Sequence, residues 1–236
     1  MSTLFFIRHG QASFGKENYD ELSERGIRQA LFLARYFDAR GIRFDIVYTG
    51  TLERHIRTAD ALARLKNEKD GSRPAVRRLE GLNEYPTQEI FQALAPRAIA
   101  ADPSLAGDVA KLMTDRRSFQ RVFEAVMSLW TSGTHAVPGL PAWGDFTGRV
   151  NEAIDSIMEA DGSGKTVAVY TSGGPISVAV GRTLHLSGDD TMRVAEQLVN
   201  TSFSRFKCTR DRIMMATFNE YPHLEIEKDE SLITYR

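Results

Sequence analysis

The 236-residue chain has 42% hydrophobic and 26% charged side chains, as globular proteins usually do, and its formal net charge of −1 argues against a nucleic-acid or membrane-surface partner. Its single cysteine, Cys208, excludes an internal disulfide and a metal site built from several thiolates. No segment resembles a signal peptide or reaches the length of a membrane span, so we expect a cytoplasmic enzyme or binding protein.

The first third of the chain is predicted to alternate strands with helices. Four successive apolar residues, 4–7, predict a buried strand, and Gly10 permits a turn after it. Ser23 is a typical N-cap for a helix with one apolar face. That face carries Ile27, Ala30, Leu31, Ala34 and Phe37. We predict a second strand over 44–49, a helix over 52–65 and a short strand over 75–79.

The middle of the chain, residues 86–144, lacks strand patterns. Helices are predicted over 90–98, 105–113 and 119–130, and a loop rich in glycine and proline follows over 132–143. This segment is predicted to be a helical insertion.

After residue 144 the alternation returns. A helix is predicted around apolar residues at helical spacing, namely Phe146, Val150, Ala153, Ile154, Ile157 and Met158. A buried strand over 166–171 leads through Ser172-Gly173-Gly174-Pro175 into another helix, and strands over 202–208 and 213–218 follow.

Strands that alternate with helices imply a mostly parallel sheet with helices on both faces. We therefore predict the α/β class, as a three-layer α/β/α arrangement in a single domain over 1–236. The helical insertion 86–144 is expected to lie over the carboxyl ends of the strands, where it caps the site.

Arg8 and His9 stand at the end of the first predicted strand. In open α/β sheets, ligands bind at the carboxyl ends of strands. A guanidinium beside an imidazole suits a phosphorylated ligand, with histidine as a nucleophile. A solvated basic pair at a strand end is the alternative.

Three further segments also follow predicted strands. Arg54 lies in the first turn of a helix, where a helix N-terminus and an arginine together favour phosphate. Glu84 enters the insertion, and a carboxyl group covered by it can act as a general acid. The backbone N–H groups around Gly173 favour an anion. Taken singly, Arg54 is more typical of a solvated surface arginine and Glu84 of a loop carboxylate, while the turn at Gly173 is equally typical of a structural strand-to-helix turn.

In this order, the segments resemble the histidine phosphatase superfamily, the phosphoglycerate mutase-like proteins, over nearly the whole chain. The matching stretches are Arg8-His9-Gly10-Gln11, then Leu22-Ser23 with Gly26, Gln29 and Ala30, then Leu52-Glu53-Arg54 with Thr58-Ala59, then Leu82-Asn83-Glu84, and finally Asn219 with His223-Leu224.

The resemblance implies a metal-independent phosphomonoesterase without a cofactor, acting on a small phosphorylated substrate. His9 would be the nucleophile that forms a phosphohistidine, and Arg8 and Arg54 would bind the phosphate. Glu84 would protonate the leaving oxygen and then activate water. The remaining substrate-binding residues would be Gln11, Ser13, Ser172 and Gly173.

Two positions depart from the family pattern. Ser172 stands where the family normally has a second catalytic histidine, and none of the other histidines, His55, His135 or His185, obviously substitutes for it. Loss of one preorganised donor typically lowers the rate by roughly 10²–10³-fold, which implies a slower enzyme. Gly15 stands where many relatives place an asparagine, for which the Ser13 hydroxyl could substitute.

The missing histidine leaves other functions open. A phosphate-recognition module with little turnover is one alternative. Phosphoglycerate mutase is another, although the insertion lacks features that we associate with those enzymes. A serine between a strand and a helix is also typical of a hydrolase nucleophile, but Tyr170 replaces the first glycine of the G-x-S-x-G pattern.

Overall fold

A computed structural model of the chain describes residues 1–13, 20–63, 74–112, 114–160 and 164–235. The fold is of the mixed α/β class and is built on a six-stranded sheet. Within the described part of the chain, no helix combines the length and the apolar character that crossing a membrane requires.

The sheet is mostly parallel, as predicted. Its strands are β1 (Ser2–Arg8), β2 (Ile46–Thr49), β3 (Ala75–Arg78), β4 (Thr166–Thr171), β5 (Phe203–Cys208) and β6 (Ile213–Glu220). In space they follow the order β3-β2-β4-β1-β5-β6. The first four of these strands are parallel, β5 runs antiparallel to β1, and β6 runs antiparallel to β5.

The described helices are α1 (Glu24–Ala39), α2 (Glu53–Ala63), α3 (Thr87–Ala101), α4 (Ala106–Val109), α5 (Arg116–Thr131), α6 (Trp143–Ala160), α7 (Gly173–Leu184), α8 (Gly188–Gln197) and α9 (Pro222–Glu225). Short 3₁₀ turns cover 80–82, 103–105 and 230–232. All six apolar residues predicted to line the buried face of α6 are buried.

Alternate residues of β1 belong to two separate hydrophobic clusters, because successive side chains of a strand point to opposite faces. Phe5 and Ile7 pack with residues of α1 and α2, including Phe37. Leu4 and Phe6 pack on the other face with residues of α3, α5, α6 and α7. Both faces of the sheet are therefore covered by helices, as in the predicted three-layer arrangement.

The buried face of α1 differs from the prediction. Ile27 is 51% exposed, whereas Gln29 is fully buried. The Gln29 side chain accepts the backbone N–H of Gln11 and donates to the carbonyl of Leu232. An apolar pattern does not reveal this polar residue, because its partners lie far away in the sequence.

Other helices also differ from the prediction. Helix α8 follows α7 and was not predicted. The helix expected over 105–113 is only one turn long, Ala106–Val109, and Met113 lies outside the described residues. The helix expected over 52–65 covers Glu53–Ala63, and the last two of its predicted residues also lie outside them.

Candidate active site

The ends of three parallel strands meet at one edge of the sheet. In the β1–β4 register Arg8 pairs with Thr171, and in the β2–β4 register Thr49 pairs with Tyr170. His9 and Ser172 therefore leave the sheet side by side, and α2 begins next to them. Parallel pairing thus gathers residues that are far apart in the sequence.

His9 is held as a neutral imidazole with a defined tautomer. Its side chain is only 6% exposed, and Nδ1 lies 2.8 Å from the carbonyl oxygen of Gly10. Because a carbonyl can only accept, Nδ1 carries the proton and Nε2 carries the lone pair. Burial, followed by the positive charges of Arg54 and Arg8, holds the pKa of His9 well below its usual value of 6.5.

Close backbone packing fixes the turn that carries His9. A Cβ atom on Gly10 would lie 2.5 Å from the carbonyl oxygen of Gly26, so only glycine fits. The N–H of Gly10 donates to the Thr58 hydroxyl at 3.0 Å, which ties the turn to α2.

Arg54 is oriented by an acidic residue that we did not predict from the sequence. The Arg54 Nη1 donates to Asp20 Oδ1 at 2.6 Å, and the other carboxylate oxygen of Asp20 accepts the N–H of Glu53 at 2.7 Å. Asp20 therefore caps α2 and aligns the guanidinium at the same time. It precedes α1 in a segment without a motif, so no local signal identifies it.

Arg8 is anchored to the backbone. Its Nη1 donates to the carbonyl of Leu198, and its Nη2 donates to the carbonyl of Tyr235 at 2.7 Å. The positive charges of Arg8 and Arg54 both lower the pKa of His9 and oppose the rise in the pKa of Glu84. The two guanidiniums therefore lie within electrostatic range of both groups.

The Glu84 carboxyl group lies at the N-terminus of α7. Its Oε2 accepts the N–H of Gly174 at 3.1 Å, and its Oε1 accepts the N–H of Tyr85 at 3.2 Å. Although the residue as a whole is only half-buried, the carboxyl group is enclosed, and desolvation raises its pKa above the usual value of 4.5 despite these bonds. A raised pKa favours the protonated form that a general acid needs.

Side chains around the 80–84 segment hold Glu84 in place. Arg149 donates to the carbonyls of Glu80 and Asn83, each at 3.0 Å. The Thr171 hydroxyl donates to the carbonyl of Leu82 at 2.5 Å. The end of β4 and helix α6 therefore both position the segment that carries the Glu84 carboxyl group.

His55 lies inside the site, next to Ser172, although nothing in the sequence marked it as an obvious substitute for the missing histidine. Its Nε2 lies 2.6 Å from the Ser172 Oγ, and its ring centroid lies 5.6 Å from that of His9. Burial, followed by the charge of Arg54, holds the pKa of His55 well below 6.5. His135 and His185 are exposed, as expected for residues outside the site.

The remaining predicted residues surround the same turn. Gln11 is half-buried, and its Oε1 accepts the Ser23 hydroxyl at 2.9 Å. Ser13 is 3% exposed, and its Oγ has no hydrogen-bond partner among the described residues. Gly173 is buried at the start of α7, where a Cβ atom would lie 4.0 Å from Arg8 Nε. Gly15 lies outside the described residues.

The structure therefore brings together a neutral imidazole, two guanidiniums, an enclosed carboxyl group and a serine–histidine pair. Such a set can bind a phosphoryl group and exchange protons with it. Within the part of the chain that is described, no group of three or more His, Cys, Asp or Glu side chains is placed to hold a metal ion.

Comparison with known proteins identifies related chains over most of this sequence. Residues 4–103 and 106–221 match the family model described as histidine phosphatase superfamily (branch 1). The 2,3-bisphosphoglycerate-dependent phosphoglycerate mutase of Streptococcus agalactiae is 25% identical over 214 residues, which cover 82% of this chain and 89% of that protein.

Solved structures share the fold at lower identity. A mutant phosphoserine phosphatase from Entamoeba histolytica, in complex with phosphoserine, has a TM-score of 0.63 and 20% identity, covering 95% of this chain and all of that one. Phosphoglycerate mutase from Bacillus anthracis has a TM-score of 0.66 and 18% identity, covering 97% of both chains.

Proposed function

The chain belongs to the histidine phosphatase superfamily, and we propose that it is a metal-independent phosphomonoesterase that works through a phosphohistidine on His9. The substrate is a small phosphorylated compound, and the expected compartment is the cytoplasm. One observation carries the proposal. The Nδ1–H of His9 is bonded to the carbonyl of Gly10, which leaves the Nε2 lone pair of a neutral ring for attack.

The first step transfers the phosphoryl group to the enzyme. The lone pair of His9 Nε2 forms a bond to phosphorus while the bond from phosphorus to the leaving oxygen breaks. Glu84 donates its proton to that oxygen, which departs as an alcohol. The raised pKa of Glu84 supports this assignment.

The second step regenerates the enzyme. The Glu84 carboxylate takes a proton from water, whose oxygen attacks phosphorus as the phosphorus–nitrogen bond breaks. Inorganic phosphate leaves, while His9 returns to the neutral form and Glu84 to the acid form. Since the same carboxyl group acts in both steps, the cycle needs no further proton carrier.

Arg8 and Arg54 are proposed to neutralise the oxygens of the phosphoryl group in both steps. Arginine suits this role because its planar donors match phosphate oxygens. The Ser172 hydroxyl and the N–H of Gly173 add neutral donors at the start of α7. Gln11 and Ser13 are proposed to line the remaining side of the pocket.

The helical segment 86–144 is proposed as a cap that selects the substrate. Tyr85, which follows the proposed acid, packs with its ring centroid 4.6 Å from that of Trp130 and 5.3 Å from that of Phe146. The insertion and α6 thus contact the site through one aromatic cluster.

The decisive experiment measures phosphate release from a broad panel of monoesters by the wild type and by His9→Ala. We expect turnover that depends on His9 and an acid-labile phosphoenzyme trapped on His9. The absence of both a phosphoenzyme and His9-dependent turnover would refute the proposal. Micromolar phosphate binding without such turnover would instead indicate a phosphate-recognition module.

A mutase is the second candidate, because curated sequences similar to this chain include phosphoglycerate mutases. An isomerisation assay with added 2,3-bisphosphoglycerate tests it directly. Interconversion of phosphoglycerates faster than phosphate release would favour the mutase over the phosphatase.

A further inference from the structure

His55 is a buried titratable residue beside the site that the proposed mechanism does not use. Both His55 and Ser172 are fully buried, and the 2.6 Å between His55 Nε2 and Ser172 Oγ is a hydrogen-bond distance. An imidazole carried by α2 therefore reaches the strand end at which the family normally has its second histidine.

The surroundings of the ring determine which nitrogen carries the proton. The Nδ1 atom of His55 is buried and has no hydrogen-bond partner among the described residues. A buried N–H without an acceptor is rarer in proteins than a buried acceptor without a donor. The neutral ring therefore holds its proton on Nε2 and donates it to Ser172 Oγ, so the hydroxyl proton of Ser172 points away from His55.

Ser172 stands at the N-cap of α7 but does not cap the helix. A serine at this position usually accepts an N–H from the first turn, as Ser23 does for α1 and Ser187 for α8. The Ser172 side chain makes no such bond. Its Oγ is therefore oriented by His55 rather than by the helix that it begins.

Gly50 provides the space for the imidazole. A Cβ atom on Gly50 would lie 2.2 Å from His55 Nδ1 and 2.7 Å from Asn83 Oδ1. Both distances are too short for a side chain at position 50, so the absence of one after β2 makes room for the His55 imidazole. The small Ser172, the missing side chain at Gly50 and the imidazole at His55 thus form one arrangement.

We propose that His55 is a positioning residue that acts through Ser172, and that the pair supplies the phosphoryl-oxygen donor normally provided by a second histidine. This inference rests on the function proposed above. Ser172 Oγ–H donates to a non-bridging oxygen of the transferring phosphoryl group, and His55 Nε2–H holds the hydroxyl in that direction. Preorganised donors of this kind stabilise the charge that develops in the transition state.

A double-mutant cycle with p-nitrophenyl phosphate tests the coupling. Ser172→Ala removes the donor and is expected to lower kcat by roughly 10²–10³-fold with little change in KM. His55→Ala frees the hydroxyl to rotate and is expected to lower kcat at least about tenfold. Because the two residues act as a unit, the double variant should be no slower than Ser172→Ala. Effects that multiply would overturn the proposal.

His223→Ala is the matched control for loss of a buried imidazole. The His223 Nε2 lies 2.9 Å from the Thr201 hydroxyl, and its Nδ1 has no partner among the described residues. We expect His223→Ala to lose about as much thermal stability as His55→Ala, but to keep kcat within about threefold of the wild type. If His55→Ala retains as much activity as this control, His55 is only structural. A wild type no faster than His9→Ala would refute the phosphatase function instead.

Nitrogen NMR of the His55 ring in the wild-type protein tests the hydrogen bond without any substitution. We expect a proton on Nε2, none on Nδ1, and a shift of both resonances on saturation with inorganic phosphate. This measurement needs neither a working phosphatase assay nor a variant that folds. A ring protonated on Nδ1 would make Ser172 the donor to His55 and would overturn the proposal, as would phosphoserine at Ser172 in place of phosphohistidine.

Discussion

The Glu84 carboxyl group lies so close to the backbone of Gly174 that no residue with a side chain fits at position 174. The N–H of Gly174 donates to Glu84 Oε2 at 3.1 Å, and a Cβ atom on Gly174 would lie 2.1 Å from Oε1. The glycine in the first turn of α7 thus admits the proposed acid to the helix N-terminus. An added methyl group would displace the carboxyl group.

Gly174→Ala is therefore expected to lower kcat at least about tenfold, because the acid can no longer reach its proton-transfer position. Steady-state kinetics with an alkyl phosphate measures the effect. Gly148→Ala is the matched control, since it lies inside α6 with nothing within 4 Å of the added Cβ. It should leave kcat unchanged and stabilise the fold by about 0.5–1 kcal/mol. Equal activity in both variants would contradict this placement of Glu84.

Glu84→Gln is expected to separate the two chemical steps. A poor alkoxide leaving group needs the acid, so kcat on alkyl phosphates should fall by roughly 10²–10⁴-fold. A nitrophenolate leaves without help, so the first step with p-nitrophenyl phosphate should remain fast while the hydrolysis of the phosphoenzyme slows. Rapid-quench experiments should then show phosphohistidine accumulating on His9. If kcat fell equally on both substrates and no phosphohistidine accumulated, the result would argue against a role of Glu84 in both steps.

Ser172→His, which restores the family residue, is expected to lower turnover in the wild-type background. The site is fully buried, and His55 Nε2 already lies 2.6 Å from the serine oxygen, so a second imidazole overpacks it. In the His55→Ala background the same substitution has space, and we expect kcat above that of His55→Ala alone. Phosphate release by the four proteins measures this. Faster turnover in the Ser172→His single variant would show that the serine is a handicap.

Acid should destabilise the protein through its buried histidines. Burial lowers the pKa of His223 to about 3, and the pKa values of His9 and His55 are also well below 6.5. At these histidines the unfolded chain therefore binds more protons than the folded one below pH 6.5, and each of them removes about 1.4 kcal/mol of stability per pH unit as the pH falls.

His223→Gln isolates one of these contributions. Between pH 6 and 4, urea denaturation should show a stability that falls about 1.4 kcal/mol per pH unit less steeply than in the wild type. The comparison of two proteins is needed because the raised pKa of Glu84 acts in the opposite direction, with stability lost as the pH rises above 4.5. If the stability of both proteins fell equally steeply with pH, His223 would take up protons as readily in the folded protein as in the unfolded chain, which would contradict the lowered pKa.

The sequence by itself determined the elements whose signals are local. A run of apolar residues predicted β4 with its observed bounds, Thr166–Thr171, and helical spacing predicted the buried face of α6. The segments that carry the proposed site could be located in advance because each follows a predicted strand, and parallel strands present their carboxyl ends at one edge. Arg8, His9 and Ser172 lie together for that reason. The roles of the site residues were implied by the resemblance to the histidine phosphatase superfamily.

Only the tertiary structure decided which additional side chains enter the site. His55 follows Arg54 on α2 and contacts a serine 117 residues later, while Asp20 reaches forward to the start of the same helix. Local periodicity determines the face on which a residue lies, but not the element that covers that face. The pairing of β2 with β4 brings the start of α2 next to the end of β4. It thereby places the His55 imidazole beside Ser172, where the sequence pattern had shown only a missing histidine.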